Sequence, residues 1–355
     1  MNPPSTGSPL PHIPGFKVLE LVGRGGFSSV YRAHQPVIDR VVAIKVLNLD
    51  VTNPADQRRF ERECGAAGRL TGHGNVVQLY DYGFLDGTRP YIVMEYFAGG
   101  SVADRLADGM PVSATETVAI GRRIADALDA AHMKGILHRD VKPENILIRA
   151  NGDPALADFG ISTTDHNRSI SQLKDTFSPL HVAPETVEGR EPGTSSDVYS
   201  LASTLWTMIQ GRAPFERGDT TLVALAMRII GEPVPPFETG RANEQIENTL
   251  RWALNKRPED RPDSAAHFRD ALATASETPP TARPRGDTTT LAPQRADRHS
   301  PQIGGPRHSP VSSSPASRPP ATADQAGWPA WVYVLAAVLA AVAAFSGVMV
   351  VAALR

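Results

Sequence analysis

The stretch HRDVKPEN at positions 138–145 limits what this chain can fold into more than any other part of it. It places Asp140 two residues before Lys142 and five before Asn145. Thirteen residues after Asn145 the triplet DFG begins at Asp158, and the segments APE and DVYSLA follow further along the chain. Any one of these triplets is common by chance, whereas the ordered set is very specific, so the meaning of the weaker motifs depends on it.

The glycine-rich stretch GRGGFSSVYRA nearly matches the phosphate-binding pattern G-x-G-x-x-G-x-V. Gly23, Gly25 and Val30 occupy the expected positions. Ser28 replaces the third glycine, and Gly26 is an additional one. Taken alone, the stretch fits a working nucleotide site, a degenerate one or an ordinary glycine turn between two strands, because a lone glycine motif is weakly specific.

Two residues upstream complete a recognisable set. The run VAIK ends in Lys45, and Glu63 lies on a predicted helix after it. In this order the motifs resemble the signature set of the protein kinase family, and the resemblance covers about residues 16–275. The lysine of HRDVK and the sequence GRAPF are similar to those of bacterial, eukaryotic-like (Hanks-type) serine/threonine kinases. Ser178 stands where such kinases usually have a threonine, so a hydroxyl is retained.

The hydrophobic pattern predicts an α+β fold with two lobes, as the resemblance also implies. The first part of this region carries strand-like runs rich in β-branched and aromatic residues: FKVLELV, VVAIKVL, VVQLYDYG and YIVMEY. The helical segment PADQRRFERECGAAGRL interrupts them. Later segments such as TETVAIGRRIADALDAAHMKG and SDVYSLASTLWTMIQG have helical periodicity. We therefore expect a β-rich N-lobe at about 16–97 and a helical C-lobe at about 98–275.

The resemblance assigns the catalytic chemistry to a few polar residues. Asp140 accepts the proton of the substrate hydroxyl or orients that hydroxyl, and Lys142 neutralises charge on the moving phosphoryl group. Asn145 and Asp158 are hard oxygen ligands suited to Mg²⁺, with Mn²⁺ as an alternative ion. The implied catalytic residues are Asp140, Lys142 and Asn145, and the implied metal ligands are Asn145 and Asp158.

The resemblance also implies an ATP site. Backbone N–H groups of the glycine loop approach the phosphates, Lys45 reaches the α- and β-phosphates, and Glu63 holds the lysine ammonium in place. Met94 falls at the gatekeeper position, and the hinge backbone at Glu95 and Phe97 bonds adenine. The implied ATP-binding residues are Gly23, Gly25, Gly26, Ser28, Val30, Ala43, Lys45, Glu63, Met94, Glu95 and Phe97.

Structural interpretations stand beside these catalytic ones. Taken singly, a lysine and a glutamate are more often a surface pair, and an aspartate is often a helix or turn cap. The resemblance assigns His138 to scaffolding rather than to acid–base chemistry. It likewise assigns Glu185 to an ion pair with Arg261 of RPEDRP. The ordered set of motifs favours an active phosphotransferase over these separate interpretations.

The segment between DFG and APE is a candidate regulatory site. Kinases with an arginine before the catalytic aspartate, here Arg139, commonly pair it with a phosphate on this segment. We predict autophosphorylation within 169–176, with Ser169, Ser171 and Thr176 as candidate phosphosites. The alternative is a polar mobile loop, since serines are common in loops.

Composition excludes several classes of function. The chain has 36 Lys and Arg against 38 Asp and Glu, so it gives no reason to expect nucleic acid as a partner. Its one cysteine, Cys64, permits neither an intrachain disulfide nor a cysteine-based zinc site. Residues 1–15 have no basic patch followed by an apolar run, so they predict a disordered lead and not a signal peptide.

The region 276–327 is rich in proline, serine, threonine and arginine, and therefore predicts a disordered linker. Its DTTTLAP segment and Ser-Pro pairs suggest phosphorylated docking sites for a phosphothreonine-reading partner, although a plain tether explains them equally well. The resemblance implies protein substrates, and these include the chain itself.

The last region predicts a membrane span at 330–354. From Val332 to Leu354 there is no charged residue, and a helix of that length is about 35 Å long, enough to cross a ~30 Å hydrocarbon core. The alternative is a buried helix of a soluble core. A kinase needs cytosolic ATP, so we expect a single-pass protein of the cell membrane with its kinase domain cytoplasmic and its C-terminus outside. Small residues along the helix, Ala336 to Gly347, hint at a dimer.

Two other functions compete with an active protein kinase. A pseudokinase scaffold usually loses the lysine, the catalytic aspartate or the metal-binding aspartate, and this chain keeps all three. A small-molecule phosphotransferase shares related lobes, but the APE element and the long segment before it build a platform for protein substrates. Both alternatives are weaker than a serine/threonine protein kinase.

Overall fold

The computed structural model describes residues 10–26, 28–109, 112–159, 179–218, 221–238 and 240–277. Several predictions lie outside these ranges: the candidate phosphosites Ser169, Ser171 and Thr176, the residue Ser178, nearly all of the predicted linker, and the predicted membrane helix at 330–354. Among the helices that are described, none is long and apolar enough to cross a membrane.

The N-lobe is built on one antiparallel sheet. Its strands are β1 at Lys17–Arg24, β2 at Ser28–Gln35, β3 at Arg40–Leu47, β4 at Leu79–Leu85 and β5 at Arg89–Glu95. Their order across the sheet is β1-β2-β3-β5-β4, and every neighbouring pair is antiparallel. The helix α1, at Pro54–Gly68, connects β3 to β4. Most connections are therefore short hairpins between neighbours, as is usual for antiparallel sheets.

Strand β3 lies in the middle of the sheet and packs against a different hydrophobic cluster on each face. Val42 and Ile44 are fully buried in a cluster on one face. Leu47 belongs to a separate cluster with Phe60 of α1 on the other face. Because successive side chains of a strand point to opposite faces, Lys45 shares its face with Leu47. The fold thus directs this lysine to the side of the sheet that faces α1.

The folded domain begins before the predicted boundary at residue 16. Ile13 is fully buried and belongs to the same core cluster as Val42. Its carbonyl also accepts a hydrogen bond from the Phe16 N–H at 3.1 Å. The prediction of a disordered lead is therefore wrong for its last residues. A single apolar residue between a histidine and a proline has no periodicity, so the sequence pattern did not reveal it.

The C-lobe is mostly helical and contains one short hairpin. Its elements are α2 at Val102–Ala107, α3 at Ala114–His132, β6 at Ile146–Ile148, β7 at Pro154–Leu156, α4 at Pro184–Val187, α5 at Thr194–Gln210, α6 at Leu222–Gly231, α7 at Glu244–Ala253 and α8 at Ala265–Glu277. Every residue of α5 from Ser196 to Gln210 is buried, as expected for a helix at the centre of a lobe. Helix α8 continues two residues past the predicted end of the domain at 275.

The predicted two-lobed α+β fold is confirmed. The predicted helices correspond to α1, α3 and α5, and the strand-like runs correspond to β1, β3, β4 and β5. Strand β4 begins at Leu79, later than its apolar run, because the Val77 N–H donates instead to the Leu156 carbonyl of the C-lobe at 3.0 Å. The sequence did not reveal β2, which alternates weakly, or β6 and β7, which have three residues each.

Candidate active site

One surface of the N-lobe sheet collects the side chains that the sequence assigns to the nucleotide. Val30 of β2 lies opposite Lys45 of β3, and Ala43 lies opposite Met94 of β5. Residues opposite each other share a face, so these four side chains line the same surface. Ala43 and Met94 are buried, as is Phe97 after the end of β5. The structure therefore places four of the implied ATP-binding residues on one face of the sheet.

The glycine loop connects β1 and β2 by a tight turn in which the Gly25 N–H donates to the Ser28 carbonyl at 2.8 Å. A β-carbon built on Gly23 would lie 3.8 Å from Val30 Cβ, and one on Gly25 would lie 3.9 Å from the Ser28 oxygen. Both are ordinary contacts, and neither glycine has a positive φ. Packing against the described residues therefore does not require glycine at these two positions.

Ser28 is the first residue of β2 and pairs in register with Leu47 of β3. Its φ is negative, so this position does not need the conformational freedom of glycine. We expect Ser28→Gly to change the KM for ATP by less than about twofold and to destabilise the strand by about 0.5–1 kcal/mol. Steady-state kinetics and thermal unfolding check the two parts. A large fall in KM would show that the serine side chain obstructs the nucleotide.

A buried carboxylate on α5 holds the segment 138–145, here called the catalytic loop. Asp197 is 1% exposed and accepts the backbone N–H groups of His138 at 2.8 Å and Arg139 at 2.7 Å. Its Oδ2 also lies 2.8 Å from His132 Nε2 at the end of α3. Arg139 has a φ of 69°, a left-handed conformation that is uncommon for residues with side chains. The two hydrogen bonds to Asp197 stabilise this turn immediately before Asp140.

His138 has a structural role here, as predicted. Its Nε2 lies 2.7 Å from the Ala157 carbonyl, and its Nδ1 lies 3.2 Å from the Asp140 N–H. A carbonyl only accepts and an N–H only donates, so these partners require the neutral tautomer with the proton on Nε2. The ring also packs edge-on against Phe159 at 4.7 Å between centroids. His138 therefore connects the catalytic loop to the DFG segment.

The Asp140 carboxylate is oriented by the two other residues of its motif. Lys142 Nζ lies 2.8 Å from Asp140 Oδ2. Asn145 Nδ2 donates to the Asp140 carbonyl at 2.7 Å and to its Oδ2 at 3.1 Å. All three side chains are largely buried, so charge-assisted bonds fix them more strongly than they would in water. The structure thus brings together the three predicted catalytic residues.

Asp158 crosses to the N-lobe and pairs with Lys45, whose Nζ lies 2.6 Å from Asp158 Oδ2. Burial by itself raises the pKa of Asp158, but the charge and hydrogen bond of Lys45, together with smaller contributions from nearby groups such as Lys142, lower it below its ordinary value. Asp158 also has a positive φ of 64°, a second strained residue in this small region. The carboxylate is therefore kept ionised beside the catalytic loop.

The predicted contact between Lys45 and Glu63 is not present between these two described residues. Glu63 Oε1 instead accepts a hydrogen bond from Arg59 Nε at 3.2 Å, one turn earlier on α1. The Lys45 ammonium is occupied by Asp158 at 2.6 Å, a shorter charge-assisted bond. The lysine that the sequence assigns to the phosphates is thus held by the DFG aspartate in this structure.

The donor set fits a magnesium ion. Mg²⁺ is usually bound by one or two protein oxygen ligands together with substrate phosphates and water. Asp158 supplies an ionised carboxylate, and Asn145 uses its Nδ2 on Asp140, which leaves its amide oxygen as the ligand atom. Within the described residues no cluster of three or more His, Cys, Asp or Glu could hold a metal by itself. The Asp158 carboxylate and the Asn145 amide oxygen therefore fit the one or two protein ligands that Mg²⁺ usually takes.

An ion pair below the site fixes the APE segment. Arg261 donates from Nη1 and Nη2 to the two carboxylate oxygens of Glu185 at 2.8 Å and 2.7 Å, which confirms the predicted pair. The Ser196 hydroxyl adds a bond to Glu185 Oε1 at 2.6 Å. Burial raises the pKa of Glu185, but the bonds from Arg261 and Ser196 outweigh it and lower the pKa overall.

A family model described as "Protein kinase domain" matches residues 16–272, well over half of the chain and all of the site described above. The chain belongs to the protein kinase family. The serine/threonine-protein kinase PknK of Mycobacterium tuberculosis is 40% identical to it over 270 residues, which are 74% of this chain and 24% of PknK. PrkC of Bacillus subtilis, also named a serine/threonine-protein kinase, is 33% identical over 262 residues, 73% of this chain and 40% of PrkC.

Solved kinase domains have the same fold. The kinase domain of PknI from Mycobacterium tuberculosis superposes with a TM-score of 0.59 at 29% identity, over 75% of this chain and 97% of the PknI domain. The chain spans less than half the length of the curated kinases PknK and PrkC. The predicted enzyme class, a serine/threonine protein kinase, is confirmed at the level of the family.

Several residues of this kinase site were not assigned a role from the sequence. The sequence marks Asp197 only as the start of a motif and gives Ser196 no role. Arg149 forms a bidentate pair with the hinge residue Glu95, at 2.7 Å and 3.0 Å. His181 is buried with its Nδ1 2.9 Å from the Ser203 hydroxyl, and burial lowers its pKa to about 3. Each of these contacts joins residues that are far apart in sequence, so no local pattern indicates them.

Proposed function

We propose that this chain is an active kinase that transfers the γ-phosphoryl group of Mg-ATP to serine and threonine hydroxyls of proteins. The observation that carries the proposal is the Asp140 carboxylate, which Lys142 and Asn145 hold beside the Lys45–Asp158 pair. Phosphoryl transfer needs positioning and charge stabilisation more than covalent chemistry, and this arrangement supplies both.

Each residue has a separate task in this proposal. Asp140 orients the acceptor hydroxyl and takes its proton, and Lys142 compensates the negative charge of the moving group. Asp158 and Asn145 would hold Mg²⁺, which neutralises phosphate charge when it is bound. Lys45 binds phosphate oxygens, for which it exchanges part of its contact with Asp158. The hinge backbone at Glu95 and Phe97 bonds the adenine, and the implied ATP-binding side chains of the sheet, Val30, Ala43 and Met94, line its site.

Regulation and location extend the proposal. Phosphate on Ser169, Ser171 or Thr176 would activate the kinase by pairing with Arg139, which directly precedes Asp140 in the chain. The apolar segment 330–354 would anchor the kinase domain to the inner face of the cell membrane, in contact with lipid and with a second copy. Membrane pelleting of the chain with and without this segment tests the anchor.

The linker would carry phosphothreonines that capture a reader protein. The support for this is the hydroxyl-rich segment DTTTLAP at 287–293. Replacing Thr288, Thr289 and Thr290 together with alanine would abolish capture of a phosphothreonine-binding domain. Unchanged capture would reduce the linker to a tether.

The test of the proposed function is phosphate transfer by the full chain. With Mg²⁺ and γ-labelled ATP we expect label on serine or threonine of the chain itself and of a generic basic protein. Removal of the divalent ion with EDTA should abolish transfer, and Mn²⁺ should restore it in part, because Asp158 and Asn145 need the ion to engage the phosphates. Mass spectrometry of the product shows whether 169–176 is modified. Absence of label despite bound ATP would favour a pseudokinase scaffold.

A further inference from the structure

Arg149 occupies a fixed position immediately after β6, at the start of the turn that leads to β7. Its N–H donates to the Asp153 carbonyl at 2.9 Å, and its own carbonyl accepts the Gly152 N–H at 2.8 Å. These bonds close the hairpin on the C-lobe side of the hinge. The side chain of Arg149 therefore starts from a rigid backbone and not from a mobile loop tip.

The guanidinium of Arg149 contacts two other segments, the hinge and the loop that contains Gly74. Nε and Nη2 donate to the two carboxylate oxygens of Glu95 at 2.7 Å and 3.0 Å, and Nη1 donates to the Gly74 carbonyl at 2.7 Å. The guanidinium carbon lies 5.1 Å from the centre of the Phe97 ring. About four-fifths of the side chains of both Arg149 and Glu95 are shielded from solvent. This is the planar, two-pronged geometry in which arginine binds a carboxylate most strongly.

The segment that contains Gly74 is hydrogen-bonded to the C-lobe. The neighbouring Asn75 accepts the Leu156 N–H at 2.9 Å and donates its Nδ2 to the Pro154 carbonyl at 2.8 Å, both in β7. Arg149 is thus attached to two segments of the C-lobe, the β6–β7 hairpin and the loop before β4. Glu95, in contrast, is the last residue of a strand in the N-lobe sheet. The ion pair therefore joins the two lobes.

The two ends of the hinge are secured by different means. At its downstream end, the Gly99 N–H donates to the Ile148 carbonyl at 3.2 Å, and the Ile148 N–H donates to the Gly100 carbonyl at 2.9 Å. A β-carbon on Gly99 would lie 2.6 Å from that Ile148 oxygen, so glycine is required for this approach. At its upstream end, the hinge is linked to the β6–β7 hairpin by the ion pair between Glu95 and Arg149.

We propose that Arg149 is a positioning residue for the nucleotide, because it fixes the hinge at Glu95 and Phe97 and so holds the two lobes at the angle that ATP binding requires. This inference rests on the proposed function, in which the backbone of those two residues binds adenine. Without the guanidinium, the hinge would sample angles that do not bind nucleotide, and the apparent affinity would fall in proportion to the competent fraction.

The test compares Arg149→Gln with the full-length wild type. If the variant spends a tenth as much time at the hinge angle that binds nucleotide, its Kd and its KM for Mg-ATP should each rise about tenfold. At saturating ATP the kcat, and the KM for the protein substrate, should stay within about twofold because the catalytic loop is untouched. Arg149→Lys keeps the charge but loses the fork, so its KM for ATP should be intermediate.

Two controls separate hinge positioning from a loss of stability. Arg105 and Glu116 form a similar bidentate pair inside the C-lobe, at 2.6 Å and 3.2 Å, and Arg105→Gln should leave the KM for ATP unchanged. In a double-mutant cycle, adding Glu95→Gln to Arg149→Gln should weaken ATP binding little further, because the two substitutions remove the same ion pair. Equal ATP affinity in wild type and both Arg149 variants would overturn the inference, as would an equal loss in Arg105→Gln. A wild type that binds no nucleotide would overturn the proposed function first.

Discussion

An Asp140→Asn variant is expected to lose phosphoryl transfer and to keep nucleotide binding. The asparagine has the same shape and still accepts the Asn145 amide through its oxygen, a bond of 3.1 Å in the structure. It cannot take a proton from the acceptor hydroxyl, and a positioned proton acceptor contributes about 10²–10⁴-fold to rate. We therefore expect kcat to fall by about that factor while the Kd for Mg-ATP changes less than about twofold. Single-turnover label transfer and fluorescent-nucleotide titration measure the two quantities.

A matched control for this variant is Asp39→Asn. Asp39 has a positive φ, unlike Asp140, and its side chain is 94% exposed and bonds His34 on the surface of the N-lobe. Asparagine tolerates the left-handed conformation, so the control should behave as the wild type. Undiminished transfer by Asp140→Asn would remove Asp140 from the mechanism. Loss of nucleotide binding together with transfer would mean that the aspartate supports the fold and not the reaction.

Residues that act through a local motif could be identified from the sequence. The short intervals between Asp140, Lys142 and Asn145 are preserved by one turn of backbone, so their order in the chain already places them together. Val30 and Lys45 are likewise identified by their motifs, although their pairing across β2 and β3 depends on a strand that the sequence does not reveal. The β-branched run VVAIKVL is enough to predict β3, because a strand buried on both faces is apolar along most of its length.

Contacts between distant segments could not be identified in this way. Asp197 lies 59 positions from His138, and Arg149 lies 54 positions from Glu95. Which polar groups meet across such distances depends on how the lobes pack, and periodicity carries no information about that. The partner of Lys45 shows the same limit, since the resemblance implies Glu63 and the structure places Asp158 there. These long-range polar contacts hold the catalytic loop and the hinge in position.

The largest effect on stability is expected from Arg261→Met. Arg261 is fully buried and forms a two-pronged pair with the Glu185 carboxylate, which is 3% exposed. Its guanidinium also donates to backbone carbonyls of Ser195, Asn255 and Lys256. Removing one partner leaves a buried charge without compensation, which costs about 3–5 kcal/mol. We expect the free energy of unfolding, measured by urea denaturation, to fall by that amount.

Two further variants test this explanation. Glu185→Gln combined with Arg261→Met removes both charges and keeps a partner for the Ser196 hydroxyl, so it should recover part of the lost stability. Arg257→Met breaks the solvent-exposed pair of Arg257 with Glu259, and its unfolding should match that of the wild type. If the double variant were less stable than Arg261→Met alone, the buried Glu185 charge would not be the source of the loss.

The dependence of this effect on pH follows from the lowered pKa of Glu185. The pair stabilises the wild type fully above the unfolded-state pKa of glutamate, about 4.3, and its contribution is lost as the pH falls through the lower pKa of the folded state. In Arg261→Met the Glu185 carboxylate is buried without its cation, so its pKa is raised. Protonation in acid removes the cost of burying that charge and so stabilises the variant. The stability difference between the two proteins should therefore be largest above the raised pKa of the variant's Glu185. It should shrink as the pH falls through that raised pKa and then through the lowered pKa of the wild type. A difference that stays constant into acid would show that Arg261 acts through its backbone contacts and not through the Glu185 charge.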